Sequence, residues 1–269
     1  SDITASIAAV DITKKYVIED AFDLYNLSQL AKGANKSTYL SLDYVLGGNI
    51  DYYDIVQQNI TYRFSPIGFI EPFSGTFDGQ GYEITNLFFH SILFEDDYDL
   101  NYPGLRYTSM FSKVSSSGVV KNLGLVNPII IQPIEWGIMD SVSSLVGANY
   151  GLVENTYMID TRGNAAGFSV EGQFRLSGLV SVNLGTISNS FVASPHVRSN
   201  AVVNNLSTSA VVYSNSGTLI NVYYDETIYA DSASLTLPAT GLVTSEFQNS
   251  ANFNSSWYFN DSYAGLVSL

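Results

Sequence analysis

Cysteine is absent from this chain of 269 residues, and charged side chains are scarce. Without cysteine there is no disulfide and no thiolate metal site, which is compatible with any compartment. Only 13% of the residues are charged, about half the usual share. No apolar run approaches the ~18 residues that a membrane-spanning helix needs. We therefore expect no direct insertion of this segment into a membrane.

Positive charge is the scarcer sign, with 11 Lys and Arg against 25 Asp and Glu and a net charge of −14. A surface of this sign repels phosphate backbones and anionic lipid headgroups. The composition therefore predicts that the protein binds no nucleic acid.

Reactive groups are also few. The chain has only two histidines, His90 and His196, and no H-E-x-x-H motif, which excludes a zinc peptidase of that kind. Between residues 141 and 222 only six charged side chains occur, and they do not recur on a common strand face. Glycosidases and lyases need converging carboxylates or a base with a charge-neutralising partner. We therefore predict that the protein is not an enzyme and needs no cofactor.

What the chain does contain is a repeated nine-residue frame: "NYGLVENTY" at 149–157, "NLGTISNSF" at 183–191 and "NSGTLINVY" at 215–223. Each copy has an Asn, a Gly two residues later, an aliphatic residue, a second Asn and an aromatic residue. Aligning on the second Asn adds two earlier copies and predicts the series Asn86, Asn122, Asn155, Asn189 and Asn221.

A period near 33 residues indicates a repeat architecture. The flanks of the frame alternate β-branched and aromatic residues with Gly and Asn, and no helical periodicity occurs between residues 60 and 240. Two or three short strands per unit, stacked on the next unit, would form a parallel β-solenoid. The predicted fold class is therefore all-β, a parallel β-helix of about five coils.

Two structural roles are possible for the two Asn positions that recur in each copy of the frame. Asn tolerates left-handed backbone angles and so marks turns. Equivalent Asn side chains can also stack and pass amide hydrogen bonds from coil to coil, which we call a ladder. We predict a ladder for the second Asn of the frame and a plain turn for the first.

The segment "FSPIGFIEPFSGTFDGQGYEITNLFF" at 64–89, with the following "GVVKNLGLV" and "SLVGANYGLVENTYM", resembles proteins that carry GLUG-motif repeats. The resemblance covers roughly residues 60 to 225. It implies a right-handed β-helix from a large bacterial cell-surface or secreted protein, such as an adhesin, with no activity of its own.

The flanking segments predict caps on this solenoid. "EDAFDLYNLSQLAKG" at 19–33 is typical of an amphipathic helix that starts after Asp20 and buries one face. That face consists of Ala21, Leu24, Leu27 and Ala31. The predicted organisation is one elongated domain, a fragment of a larger protein. It has an N-terminal cap at 1–60 (helix 19–32 and a strand after it), repeats at 61–225 and a C-terminal cap at 226–269.

Candidate binding residues are sparse. Four acids in "FEDDYDL", Glu95, Asp96, Asp97 and Asp99, could hold Ca²⁺, although they lack the EF-hand spacing. Aromatic side chains stack on sugars or protein partners, and the candidates are Tyr102 and Tyr107, in the loop between the first two repeats, and Trp136. Most other tyrosines, including Tyr157 and Tyr223, are expected inside the coils.

The sequence therefore predicts a structural or adhesive module, located outside the cell at a bacterial surface. Its expected partners are an extracellular glycan, a protein ligand or neighbouring copies. The alternative is a polysaccharide-degrading β-helix enzyme, a lyase or a glycosidase, which would need acids converging on one outer groove.

Overall fold

The computed structural model describes residues 15–57, 64–90, 107–131, 141–162, 170–172, 175–195, 197–199, 208–229, 239–255, 257–260 and 263–266. Two groups of predicted residues lie outside these ranges. They are the four acids Glu95, Asp96, Asp97 and Asp99, and the aromatic residues Tyr102 and Trp136.

The N-terminal region is built from short elements around one helix. They are β1 (Lys15–Ile18), α1 (Ala21–Leu30), α2 (Lys36–Leu40), β2 (Asp43–Leu46), β3 (Ile50–Asp51) and α3 (Tyr53–Val56). The Asp20 side chain accepts a hydrogen bond from the Asp23 N–H and so caps α1. Ala21, Leu24 and Leu27 are buried in the main core, as the amphipathic pattern predicts. The strand expected after the helix, in "TYLSLDYVLGGNI" at 38–50, begins only at Asp43, because residues 36–40 form α2.

The repeats fold into coils of four strands, not two or three, and in the first coil two shorter strands take the place of the long one. The first coil contains β4 (Thr76–Asp78), β5 (Glu83–Thr85), β6 (Phe88–His90), β7 (Tyr107–Thr108) and β8 (Phe111–Val114). The second contains β9 (Val119–Val126), β10 (Ile129–Ile131), β11 (Ser141–Ser143) and β12 (Val146–Asn149). The third contains β13 (Leu152–Ile159), β14 (Val170–Gly172), β15 (Leu176–Ser177) and β16 (Val180–Asn183). The fourth contains β17 (Thr186–Ala193), β18 (Val197–Ser199), β19 (Thr208–Ser209) and β20 (Val212–Asn215).

Corresponding strands of successive coils pair in parallel, so the fold is a parallel β-solenoid. Three sheets contain four strands each: β6-β10-β14-β18, β7-β11-β15-β19 and β8-β12-β16-β20. The long sheet runs β1-β2-β4-β9-β13-β17 and continues into β21 (Thr218–Asp225) and β22 (Thr240–Leu242). The solenoid thus has about four complete turns, one fewer than predicted, with extra long-sheet strands at both ends.

The interior is filled by aliphatic and aromatic columns, because each inward position meets its equivalent one coil away. In the long sheet one such column is Phe77, Val120, Val153 and Ile187, and all four are fully buried. Across the interior another is Phe111, Val146, Val180 and Val212. Burying a side chain of this size stabilises the fold by roughly 1.5–3 kcal/mol. No single coil could do this alone.

The chain beyond β22 forms two short 3₁₀ helices, Thr244–Gln248 and Ser250–Asn252, and an antiparallel hairpin. The hairpin strands are β23 (Trp257–Asn260) and β24 (Tyr263–Leu266). We call residues 239–266 the C-terminal strap. Its first strand, β22, pairs with β21 at the end of the solenoid, whereas β24 lies against β9 of the second coil. The strap therefore runs along the outside of the long sheet.

Candidate functional site

Each long strand bends at an Asn in the left-handed backbone region. We call these residues the corner column; it consists of Asn122, Asn155, Asn189 and Asn221. Their φ values are 53°, 50°, 46° and 52°, a region that few residues other than Gly and Asn adopt readily. The strand register brings all four together on neighbouring strands.

Side-chain amides link members of the corner column. Asn155 Nδ2 donates to Asn122 Oδ1 at 2.9 Å, and Asn221 Nδ2 donates to Asn189 Oδ1 at 3.0 Å. Asn122 Nδ2 in turn donates to Asp78 Oδ1 at 2.9 Å. Each of these amides therefore bends its own strand and contacts the coil before it.

Asn86 does not belong to this column, and its predicted alignment is wrong. Thr85 pairs with Val126, which places Asn86 beside Asn127 at a second corner of the long strand. Asn86 and Asn127 also have left-handed φ values, 56° and 52°. Asn86 Nδ2 donates instead to Asp51 Oδ1 at 2.9 Å.

The first Asn of the frame was assigned to a plain turn, and that assignment is incomplete. Asn149 and Asn183 are fully buried, and with Asn215 they form a second ladder, which we call the strand-end column. Asn149 Nδ2 donates to Asn183 Oδ1 at 2.8 Å, and Asn183 Nδ2 donates to Asn215 Oδ1 at 2.7 Å. The turn contact is also present, because the Gly151 N–H donates to Asn149 Oδ1.

The frame glycine is required by close approach between coils. A Cβ on Gly151 would lie 2.1 Å from the Gly118 carbonyl oxygen, and one on Gly185 would lie 2.2 Å from that of Gly151. Each of these carbonyls accepts a hydrogen bond from the next coil, as the Gly151 oxygen does from the Thr186 N–H at 2.8 Å. The backbone cannot move away without losing these bonds.

We expect Gly185→Ala to lower the free energy of unfolding by about 1–3 kcal/mol, the usual range for overpacking. Urea unfolding followed by circular dichroism measures this. Gly48→Ala is the matched control, because a Cβ there meets nothing within 4 Å. A Gly185→Ala protein as stable as Gly48→Ala would contradict the close-approach explanation.

Tyr157, Phe191 and Tyr223 form an aromatic column on the outer face of the long sheet, not inside the coils as predicted. The left-handed Asn155 shifts the alternation by one residue, so that Thr156 and Met158 point inward and Tyr157 points outward. The Tyr157 and Phe191 rings are stacked, with centroids 5.3 Å apart and planes at 6°. The Tyr157 hydroxyl donates to Glu83 Oε1.

The C-terminal strap covers this column with aromatic side chains. Phe247 lies 5.2 Å from Phe191, and Trp257 lies 5.3 Å from Phe191 and 5.8 Å from Tyr157, measured between ring centroids. Phe253 packs against Tyr223 at 5.7 Å. These residues form an apolar cluster separate from the interior core. The strap thus ties together strands of three successive coils.

Charged side chains form a second outward row of the long sheet, before the corner. Asp78, Lys121 and Glu154 occupy equivalent positions on β4, β9 and β13. Lys121 Nζ lies 3.6 Å from Asp78 Oδ2, and Glu154 Oε1 accepts from the Ser188 hydroxyl at 3.4 Å. Asp78 is buried and also accepts from the Gln80 N–H. These polar contacts join the first coil to the second and the third coil to the fourth.

Tyr107 is the one aromatic candidate that the structure describes. It lies on β7 and is only partly exposed, and burial raises the pKa of its hydroxyl. Its Cβ lies against Gly147, where an added methyl would approach within 2.2 Å. The ring therefore packs on the neighbouring coil, although the sequence indicated an exposed loop residue.

The more exposed aromatic and aliphatic side chains were missed by the sequence analysis. Tyr150 and Leu184 are each 46% exposed and follow Asn149 and Asn183, which pair with each other, so they lie side by side at one corner. The sequence does contain a signal for their exposure, since both occupy the variable position between the Asn and the Gly of the frame. That position is forced outward because both of its neighbours are held against other coils.

Neither a metal cluster nor a membrane helix occurs in the part of the chain that the structure describes. No group of three or more His, Cys, Asp or Glu side chains is placed to hold a metal ion there. None of the described helices is long and apolar enough to cross a bilayer. The acidic segment 95–99 lies outside the described residues, so calcium binding stays a prediction.

These features define a parallel β-solenoid whose coils are joined by polar ladders and an outer strap. A crystal structure from Bacteroides ovatus, provisionally named an immunoglobulin A1 protease, has a similar fold, with a TM-score of 0.52 and 15% identity. The match covers 95% of this chain and 93% of that one, and it shows the fold alone.

Sequence similarity points to one curated protein. Over 171 residues, or 61% of this chain, the sequence is 30% identical to halomucin of Haloquadratum walsbyi. The chain spans only 2% of the length of halomucin. No protein-family model matches the chain, and the resemblance to GLUG-motif proteins therefore stays a prediction.

Proposed function

We propose that this chain is a non-enzymatic structural module of a large cell-surface or secreted bacterial protein, which displays or binds a glycan or protein ligand from a stiff β-solenoid. The observation that carries the proposal is that buried polar side chains bind to neighbouring coils of the solenoid. Asn149, Asn155 and Asn183 are buried and are engaged in coil-to-coil contacts. Polar groups held in this way make a fold rigid and are not free for substrate.

The similarity to halomucin supports a surface or secreted location, and the resemblance to GLUG-motif repeats supports an adhesive role. For ligand contact the geometry favours the corner that carries Tyr150 and Leu184. Exposed aromatic and aliphatic side chains on a rigid support lose little entropy when a partner covers them.

A glycan array and a panel of extracellular proteins test this role. We expect a ligand to bind the wild-type protein and to bind at least tenfold more weakly to the variant with Tyr150→Ser and Leu184→Ser. Tyr53→Ser is the matched control, because Tyr53 is 52% exposed but lies in α3, away from this corner. Equal loss of binding with Tyr53→Ser would contradict the assignment of the site.

A polysaccharide-degrading activity is the alternative, and one observation favours it. Asp78, Lys121 and Glu154 share one outer row beside the aromatic column. Turnover of an acidic polysaccharide that is lost in Asp78→Asn and Glu154→Gln would replace the structural proposal by this one.

A further inference from the structure

Within the residues that the structure describes, the ladders have no further partner at the C-terminal end of the solenoid. Asn149 Nδ2 contacts the next coil at Asn183 Oδ1 and at the Thr186 carbonyl, and Asn183 does the same one coil later. Asn215 Nδ2 donates only to the Gly217 carbonyl of its own coil. Among the described residues, no further Asn and no further carbonyl continues this column.

The corner column ends in the complementary way. Its amides donate toward the N-terminal coil, as Asn221 Nδ2 does to Asn189 Oδ1. Asn221 Oδ1 is consequently the next acceptor, and it receives no donor within the described part of the chain. One end of the solenoid thus presents a ladder donor on Asn215 and a ladder acceptor on Asn221.

Backbone groups at the same end are open as well. The Asn149 carbonyl accepts from the N–H groups of Leu184 and Gly185, and the Asn183 carbonyl accepts from those of Ser216 and Gly217. The Gly185 carbonyl accepts from the Thr218 N–H. For the carbonyls of Asn215 and Gly217, the described residues supply no equivalent N–H from a further coil.

This open edge has defined limits. Strand β22 pairs with β21 only at Tyr223–Asp225, so Thr218–Val222 has no strand on its C-terminal side in the described ranges. Asn215, Thr218, Ile220 and Asn221 are exposed, and Leu219 is half-buried at the end of the interior column. The edge carries no charge between residues 212 and 222.

We propose that this edge, residues 215–222, binds by parallel strand addition an extended polypeptide segment that carries the frame N-x-G-x-φ-x-N, where φ is aliphatic. Such a segment supplies both ladder groups, its N–H groups face the open carbonyls, and its aliphatic residue covers Leu219. Strand addition to an exposed sheet edge is an established mode of peptide recognition. The coil-to-coil contacts already in the molecule set the geometry. The inference does not depend on the ligand site at Tyr150.

The test uses a labelled peptide that copies residues 181–190, "SVNLGTISNS", and measures its binding to the whole protein by fluorescence anisotropy. We expect saturable binding, and at least tenfold weaker binding for a peptide with leucine at both Asn positions. Hydrogen exchange should show new protection at β21 and none at β1. Equal binding of a scrambled peptide, or protection at β1 only, would overturn the proposal.

Variants of the protein distinguish binding at the edge from nonspecific binding elsewhere on the protein. Asn221→Leu removes the ladder acceptor and should weaken binding of the peptide at least fivefold. Asn86→Leu is the matched control, since both Asn residues have left-handed φ values but Asn86 lies at the opposite end. If sedimentation shows that the protein alone forms chains of copies and the peptide does not compete, the occupant is a second copy and the peptide proposal is wrong.

Discussion

Replacing Asn183 by leucine is expected to lower the free energy of unfolding by about 2–4 kcal/mol. Leucine has the same number of side-chain heavy atoms and the same branching as asparagine, but it cannot accept from Asn149 Nδ2 or donate to Asn215 Oδ1 and the Thr218 carbonyl. Because Asn183 is fully buried, water cannot replace these bonds. Equilibrium unfolding in urea, followed by circular dichroism, measures the loss.

Asn215→Leu is the matched control for this prediction. Asn215 lies in the same column and also ends a strand, but its own side chain is exposed, and the Asn183 Nδ2 that donates to it keeps the Thr218 and Gly185 carbonyls as acceptors. Its substitution should change stability by about 0.5 kcal/mol or less, as is usual at a surface. If both variants lost the same stability, the strand-end column would not be a source of stability, and the first Asn of the frame would act only in its turn.

The two roles of this Asn explain why the sequence alone assigned it incompletely. A turn next to glycine uses the Oδ1 atom, as Asn149 does with the Gly151 N–H. The amide nitrogen is then free to reach the next coil, where it meets Asn183. Turn and ladder are therefore compatible in one Asn side chain, whereas the sequence pattern predicted only the turn for the first Asn of the frame.

The repeat and its β character could be predicted because the period near 33 residues and the nine-residue frame can both be recognised in the sequence. The predicted register from Asn122 onward is correct, since Asn122 lies beside Asn155, and Asn189 beside Asn221, with a side-chain hydrogen bond in each case. The predicted alignment of the first copy, Asn86 with Asn122, is wrong because the long strand has two left-handed corners, at Asn122 and Asn127, and both are Asn. Residue identity cannot distinguish one corner from the other.

Simple alternation of side chains along the strand also predicts the wrong face for the aromatic column. A strand alternates its side chains in and out, which carries Tyr157 inward from Val153. The left-handed Asn155 between them adds one residue to the count, and Tyr157 then points outward. A left-handed residue inside a strand is hard to recognise before the register is known.

The position of the strap depends on contacts that are distant in sequence. Its aromatic content indicated burial, but not the surface that would bury it. The outward Tyr157 and Phe191 provide that surface, and Asn254 Nδ2 adds a hydrogen bond to Asn155 Oδ1 at 3.3 Å. An end cap and an outer strap have the same sequence signature, so only the fold distinguishes them.

Replacing Phe247 by alanine is expected to weaken the attachment of the C-terminal strap by about 3–5 kcal/mol, the usual cost of deleting a buried aromatic ring. Phe247 is fully buried against Phe191 and belongs to the outer aromatic cluster, whereas Val153 and Ile187 belong to the interior core. The strap should therefore detach while the coils remain folded. Hydrogen exchange should show lost protection over residues 244–266 and retained protection in β13 and β17.

Val243→Ala is the matched control, since Val243 lies at the start of the same segment and is 40% exposed. It should leave protection of the strap within about 0.5 kcal/mol of the wild type. Detachment in Phe247→Ala also exposes Tyr157 and Phe191, so binding of a hydrophobic dye should increase only in that variant. If β13 and β17 lost protection together with the strap, the outer cluster and the interior core would unfold as one unit. The strap would then be an integral part of the solenoid, and not a separate clamp on its surface.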